Sequence, residues 1–231
     1  MTQVSSPLEA LSDEYAAWWI DLLGEHNHIG GVEATKWLLD RAHITAEDRV
    51  LDAGAFVGGA ARMIAKRTEA TVVATDVNAD FLVTGSKMSG GELVKWVAGS
   101  THKLPFADGS FTSAWCLDSY IAPRELSRVT AAAATLCLCC EVPEDSRGGV
   151  ESFIEEWGEF GWEMSAHRQL SSDATQTWRM AEGEMVRRRP HFEARYGKRG
   201  YIDQLDMLAS MVRAYEVGEQ GHGLFVFSRK G

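Results

Sequence analysis

The sequence predicts one α/β domain, a largely parallel sheet with helices on both faces, and three observations carry that prediction. Arg49-Val50-Leu51-Asp52-Ala53-Gly54 reads as a short apolar strand running into a glycine-containing turn, with a helix over about 60–66 behind it. About twenty residues later Thr71-Val72-Val73-Ala74-Thr75-Asp76 reads as a second buried strand that ends on a carboxylate, which completes a βαβ unit. The chain has 231 residues, 45% of them hydrophobic, enough for one sizeable core.

Composition narrows the function classes. A net charge of −10 argues against nucleic acid as the principal partner. No apolar run is long enough to span a bilayer, and the N-terminus shows no basic segment followed by an apolar one. A cytoplasmic protein is expected. Cys116, Cys137, Cys139 and Cys140 do not form paired Cys-x-x-Cys knuckles, and three of them lie in a stretch that reads as a buried strand. They are expected to be small buried hydrophobes, with no metal.

In chain order, Ser6 and Pro7 suit the N-cap and first position of a helix, and Leu8, Leu11, Tyr15, Trp18, Trp19 and Leu22 follow helical spacing to about Leu23. A second helix carries Val32, Ala34, Thr35, Trp37 and Leu38. Between them lies Gly24-Glu25-His26-Asn27-His28-Ile29-Gly30-Gly31, where neutral imidazoles beside a double glycine could orient or deprotonate a substrate. In the turn after the first strand, backbone N–H groups and the helix N-terminus could receive the polar end of a ligand, and Asp76 could accept two ribose hydroxyls. A helix follows over 79–87, then strands over 93–97 and 112–117, with Asp118 at the carboxyl end of the latter, where open α/β sheets bind ligands. Asp118 would serve there equally well as a helix N-cap. A helix closing at Val129, a strand over 135–142, a loop over 143–149, a helix over 150–160, a strand to about 170, a helix over 201–216 and a last strand from Gly223 complete the set.

Several of these segments together resemble the class I S-adenosylmethionine-dependent methyltransferases. Asp52, Gly54, Gly58 and Gly59 match that family's first motif, with Phe56 where it has its middle glycine. Leu104-Pro105-Phe106, an Asp two residues further on and then Ser110-Phe111 match a later motif, as does Glu125-Leu126-Ser127-Arg128-Val129. His28-Ile29-Gly30-Gly31 followed by Glu33-Ala34-Thr35 narrows the resemblance to the group related to sarcosine and dimethylglycine N-methyltransferases. The resemblance implies a Rossmann-like seven-stranded sheet, parallel with an antiparallel last strand. It implies an N-terminal helical cap (residues 7–43) folded over the cofactor, a cofactor-binding core (48–142) and a helical substrate-side cap (172–217).

It also implies S-adenosyl-L-methionine as cofactor, held by Asp52, Gly54, Ala55, Phe56, Gly58, Asp76, Val77, Ser100, Thr101 and Leu104. Ser100 stands where the family usually has an Asp that accepts from adenine. A serine hydroxyl accepts the same bond without charge assistance. The family's Leu-Lys-Pro-Gly-Gly is replaced by Thr130-Ala131-Ala132-Ala133-Ala134, so an altered turn is expected there.

Methyl transfer from a sulfonium needs alignment, exclusion of water and a deprotonated nucleophile, and no metal. The acid–base candidates are His28, then His26, Asp118 and the C-terminal tyrosines. A local cluster of cations and aromatics between the sixth and last strands offers Trp178, Arg179, Arg195, Tyr196 and Tyr201 as acceptor-binding groups, since arginine holds carboxylate or phosphate and aromatic faces hold a methylated ammonium. The acceptor expected is a small molecule, an amine first. O- or C-methylation of a secondary metabolite or quinone stays open, as does a binding protein that has kept the fold and lost catalysis. A homodimer is also left open. An NAD-dependent reductase would need a hydride-transfer constellation such as Tyr-x-x-x-Lys, which is missing.

Overall fold

The computed structural model describes residues 14–142 and 149–229. The expected helix start at Ser6 and Pro7 and the loop over 143–148 lie outside the described residues. The elements in chain order are α1 (Glu14–Leu23), α2 (Gly31–Ala42), β1 (Arg49–Ala53), α3 (Gly59–Thr68), β2 (Thr71–Asp76), α4 (Ala79–Lys87), a short 3-10 turn (Gly91–Leu93) and β3 (Val94–Ala98). They continue with β4 (Phe111–Leu117), α5 (Pro123–Val129), β5 (Thr130–Val142), α6 (Gly149–Glu159), β6 (Trp162–Gln169), α7 (Ser171–Arg187), α8 (Arg189–Glu216) and β7 (Gly221–Arg229).

The seven strands form one sheet in the order β3-β2-β1-β4-β5-β7-β6. β7 runs antiparallel to both neighbours, and the other pairs are parallel. This is the seven-stranded sheet that the resemblance implies. Alternation along the strands sorts side chains onto two buried layers. Val50, Trp115, Cys137, Cys139, Leu224 and Val226 face a layer that includes α2, α3, α7 and α8. Leu51, Cys116, Leu138, Cys140, Phe225 and Phe227 face the other, with Leu126 of α5 and Trp157 of α6. All four cysteines are buried and unbridged. No helix among the described residues is long and apolar enough to cross a membrane.

Three local features differ from the sequence reading. First, no turn follows α5: β5 starts at Thr130 directly, five residues before the expected Thr135. The step Phe111↔Thr130 to Ser113↔Thr135 sets two residues of β4 against five of β5, a bulge that absorbs the alanines and puts Ala133 at φ 57°. Thr130 ends the helix because its hydroxyl donates to Leu126 O at 2.9 Å, and Arg229 closes the corner by donating to Ser127 O at 2.6 Å. Second, the helical cap after β6 is two long elements, not a helix beginning at Tyr201: α8 starts at Arg189 and is broken at Gly197, whose φ of 75° no helix continues. Third, β7 begins at Gly221, so His222 joins the sheet opposite Glu141.

Candidate active site

β1 lies between β2 and β4, whose connections leave it in opposite directions, so a crevice opens at the carboxyl ends of β1 and β4. The turn after β1 forms one wall. Gly54 has φ +75°, and a Cβ there would lie 1.8 Å from Ser119 Oγ on the segment after β4, so only glycine allows the two strand ends to meet. Gly58 is fixed from the other side, since its Cβ would lie 2.4 Å from the Trp96 ring.

The expectation that the turn offers free N–H groups to a ligand is corrected at four positions. Gly54 N–H and Ala55 N–H both donate to Thr75 O, at 2.8 and 2.9 Å, and Gly58 N–H donates to Ala55 O. Phe56 N–H donates to Asp76 Oδ2 at 2.9 Å. The turn is thereby stitched to the end of β2. Phe56 adopts φ 54°, the left-handed conformation the family gives to glycine, and its buried ring meets Phe81 edge-on at 4.8 Å. Val57 and Ile20 complete that small cluster, which ties α1 to the turn.

The groups left for a polar ligand at these strand ends are side chains. Asp76 also accepts from Asn78 N–H at 2.9 Å, yet a carboxylate has acceptor sites for two further hydroxyls. Asp52 Oδ2 and Thr75 Oγ1 are buried with no hydrogen-bond partner among the described residues. Burial pushes the Asp52 carboxyl up to about 7, with the Asp76 charge adding to the effect and the Ala61 N–H opposing it. Val77, beside Asp76, is apolar and 73% exposed, a surface on which a flat ring could lie. Ser100 Oγ accepts from His102 N–H at 3.2 Å, Thr101 is buried, and Leu104 N–H donates to Glu125 Oε1 at 2.7 Å. A ligand with ribose-type hydroxyls fits this set: unsatisfied oxygens lie under it and an exposed apolar residue lies beside it.

Beyond the crevice lies a cleft of about 490 Å³ lined by residues that include Trp19, Asp118, Tyr120, Glu141, Trp178 and His222. The chain leaves β4 through Asp118 at φ 47°, with Asp118 N–H donating to Cys139 O at 2.7 Å. The Asp118 carboxylate accepts from Ile29 N–H at 2.7 Å through Oδ2 and from His222 Nε2 at 2.9 Å through Oδ1. His222 Nδ1 pairs with the Tyr215 hydroxyl at 3.0 Å. Burial, then the Glu141 and Asp118 charges, raise the Tyr215 hydroxyl well above its ordinary value, so it stays protonated. Cys139 Sγ lies 3.5 Å from His222 Nε2. Donor atoms of Asp118, Cys139 and His222 fall within 4.8 Å of one another, a metal-capable trio that residue spacing does not reveal. Hydrogen bonding alone accounts for their approach. Burial and the Asp118 charge raise the Cys139 thiol well above its ordinary value.

The structure separates the other sequence-derived candidates. His28 is buried, with Nε2 2.9 Å from Gly31 O and 3.0 Å from the Thr35 hydroxyl, and burial lowers it to about 4 despite the Asp118 charge. This neutral ring pins the His28–Gly31 turn and is not among the residues lining the cleft. His26 lines a different pocket, with Glu25 and Arg62. Trp178 lines the cleft, with Trp19 edge-on to it at 5.5 Å. Arg179 pairs instead with Glu216, and Arg195 pairs with Asp21 at 3.4 Å. The Tyr196 hydroxyl also donates to Asp21 while its ring stacks on Trp18 at 3.9 Å, and Tyr201 is buried under Arg189. None of these four lines the cleft. His222, Tyr215 and Glu141 are the groups that sequence reasoning missed. The one signal for them was a histidine set between two glycines at the start of the closing strand.

Residues 50–137 match the family described as "Methyltransferase domain". Over those residues the chain carries a methyltransferase domain, and its sheet is that of the class I methyltransferase fold. The chain is similar to methyltransferase GfsG of Streptomyces halstedii, 30% identical over 148 residues, which are 59% of this chain and 52% of that protein. The chain thus spans about half the length of that relative. Among solved structures it is similar to a protein described as a sarcosine dimethylglycine methyltransferase from Galdieria sulphuraria, with a TM-score of 0.85 at 15% identity over 94% of this chain and 97% of that one. It is also similar to phosphoethanolamine N-methyltransferase 2 of Haemonchus contortus, in complex with phosphomonomethylethanolamine and S-adenosylhomocysteine, with a TM-score of 0.76 at 14% identity over 93% and 56% of the two chains. At these identities the structural likenesses speak to the fold.

Proposed function

We propose that this methyltransferase moves a methyl group from S-adenosylmethionine to the nitrogen of a small amine bound in the 490 Å³ cleft. The observation that carries the amine is the lining itself. Asp118 and Glu141 supply negative charge, and Trp19, Trp178 and Tyr120 supply aromatic surface, in one cleft. A protonated or methylated nitrogen is attracted by both, each aromatic face adding about 0.5–2 kcal/mol. A phenol or quinone would gain only the aromatic part.

The cofactor, when bound, supplies an electrophilic methyl carbon and a neutral leaving group. In this reading Asp76 holds the ribose hydroxyls, and Val77, Ser100, Thr101 and Leu104 border the adenine. Gly54 and Ser119 would border the sulfonium end, and Asp52 would serve the polar tail. The protein's contribution is to align the acceptor nitrogen, to exclude water with the helices α1, α2, α7 and α8, and to keep an anion beside the nitrogen. Asp118, on the cleft wall, would take the ammonium proton, and the nitrogen lone pair so freed would take the methyl carbon while the C–S electron pair stays on sulfur.

The test has two parts. Calorimetric titration with S-adenosylhomocysteine should give micromolar binding. Incubation with radiolabelled methyl donor and panels of small amines, phenols and quinones should label amines. Binding without label in any amine would overturn the acceptor, and no binding would overturn the cofactor.

A further inference from the structure

Asp118, His222 and Tyr215 form a chain whose direction is set by chemistry. A carboxylate only accepts, so His222 Nε2 carries the proton shared with Asp118 Oδ1 at 2.9 Å. His222 Nδ1 is then the acceptor of the Tyr215 hydroxyl at 3.0 Å. Ile29 N–H approaches the other carboxylate oxygen at 2.7 Å. Every donor in the chain therefore points toward Asp118. The far end is anchored in buried structure, Tyr215 being 7% and His222 2% exposed, while the Asp118 side chain keeps 21% of its surface open and borders the cleft.

The backbone supports the same conclusion. Asp118 has φ 47°, a left-handed conformation that disfavours any residue with a Cβ. Its own N–H is held by Cys139 O. Four elements thus fix one carboxylate: the turn before α2, β5, α8 and β7. Such rigid placement is more than a helix N-cap requires, and Asp118 caps no helix, because α5 begins five residues later with Ala122 in the N-cap position.

We propose that Tyr215 and His222 are positioning residues that hold Asp118 as a fixed anion on the cleft wall, and that this makes the cleft select a protonated amine over a neutral molecule of the same shape. The inference rests on the amine reading above and adds the residues that enforce it. Because the anion is already desolvated on two sides by N–H donors, a cationic N–H at its open side needs little further rearrangement. An alkyl group in the same place leaves that open side unpaired, and a hydroxyl pairs with it without bringing a positive charge.

The experiment uses the full-length protein saturated with S-adenosylhomocysteine. The probes are N,N-dimethylethanolamine, cationic at neutral pH, and its uncharged isostere 3-methylbutan-1-ol, each titrated by calorimetry. The wild type should prefer the amine by about tenfold or more. Asp118→Asn, which tolerates the left-handed backbone, should bring the preference close to unity while leaving S-adenosylhomocysteine affinity unchanged. His222→Leu should reduce the preference several-fold, and His222→Gln, which restores an N–H donor, should recover part of it, which a purely structural role would not do. Equal binding of the two probes, absence of amine binding, or an Asp118→Asn variant that keeps the preference would overturn the proposal. Failure to bind S-adenosylhomocysteine would instead overturn the methyltransferase reading beneath it.

Discussion

Two buried titratable groups give the cofactor-free protein opposite responses to acid, and each can be uncovered by removing the other. Asp52 titrates at about 7 in the folded protein against 3.8 for an unperturbed carboxyl. Its protonated form is favoured by folding, so this stabilisation is complete below 3.8 and is lost as pH rises through 7. His28 titrates at about 4 against 6.5. Its charged form is disfavoured by folding, so it costs nothing above 6.5 and destabilises increasingly as pH falls toward 4. Between 4 and 6.5 each contributes a slope of about 1.4 kcal/mol per pH unit, of opposite sign, and the two cancel.

Asp52→Asn keeps the acceptor for Ala61 N–H and removes the titration. Relative to the wild type, its stability should fall by about 2.7 kcal/mol between pH about 6.5 and about 4.5. His28→Gln should do the reverse, gaining against the wild type by a similar amount as pH falls. Urea unfolding of the three proteins across that window, without cofactor, measures the differences directly, because every other titrating group is common to them. A pH-independent difference between Asp52→Asn and the wild type would refute a protonated buried carboxyl. Parallel curves for His28→Gln would refute a neutral buried imidazole.

Three further outcomes are expected. Asp76→Ala should weaken S-adenosylmethionine binding tenfold or more, about 1.4 kcal/mol, and unchanged affinity in calorimetry would sink its ribose assignment. Phe56→Gly should release about 1–2 kcal/mol of backbone strain but forfeit about 3–5 kcal/mol of buried ring, lowering the melting temperature while retaining cofactor affinity; a large loss of affinity would make the ring part of the site. Gly54→Ala should abolish cofactor binding, since its Cβ collides with Ser119, and adding Ser119→Gly should recover stability except for about 1 kcal/mol of left-handed strain; thermal melts of the two variants decide this.

The sheet and its strand ends were legible because the signals are local: apolar runs of strand length, each closed by a carboxylate at Asp52, Asp76 or Asp118. Cleft membership was less so. Whether an arginine near a cleft points into it is decided by the nearest acid, and Glu216 takes Arg179 while Asp21 takes Arg195. Those acids lie 37 and 174 positions away in sequence, so no window over the cationic cluster contains the answer. His222 escaped for a related reason. It sits next to Asp118 only because β7 inserts between β5 and β6, a non-local pairing that sets His222 against Glu141. The free N–H cradle was expected from glycines that in fact serve close approach, Gly54 to Ser119 and Gly58 to Trp96.

Among the described residues, five that are not glycine adopt a positive φ: His43, Phe56, Glu69, Asp118 and Ala133. For three the reason is local. His43 and Glu69 end α2 and α3, where a left-handed residue commonly closes a helix, and Ala133 lies in the β5 bulge. Phe56 and Asp118 have no such excuse, and they follow the carboxyl ends of β1 and β4. Each is held by a tie to another part of the chain: Phe56 N–H to Asp76 with its ring against Phe81, and Asp118 to Ile29 and His222. Glycine or asparagine would meet the backbone requirement at less cost. What neither supplies at both positions is the side chain itself, an apolar anchor for α1 on one side and a fixed negative charge on the other. The strain is therefore borne by one residue whose side chain anchors α1 to the turn after β1 and by one whose carboxylate the proposed chemistry would use.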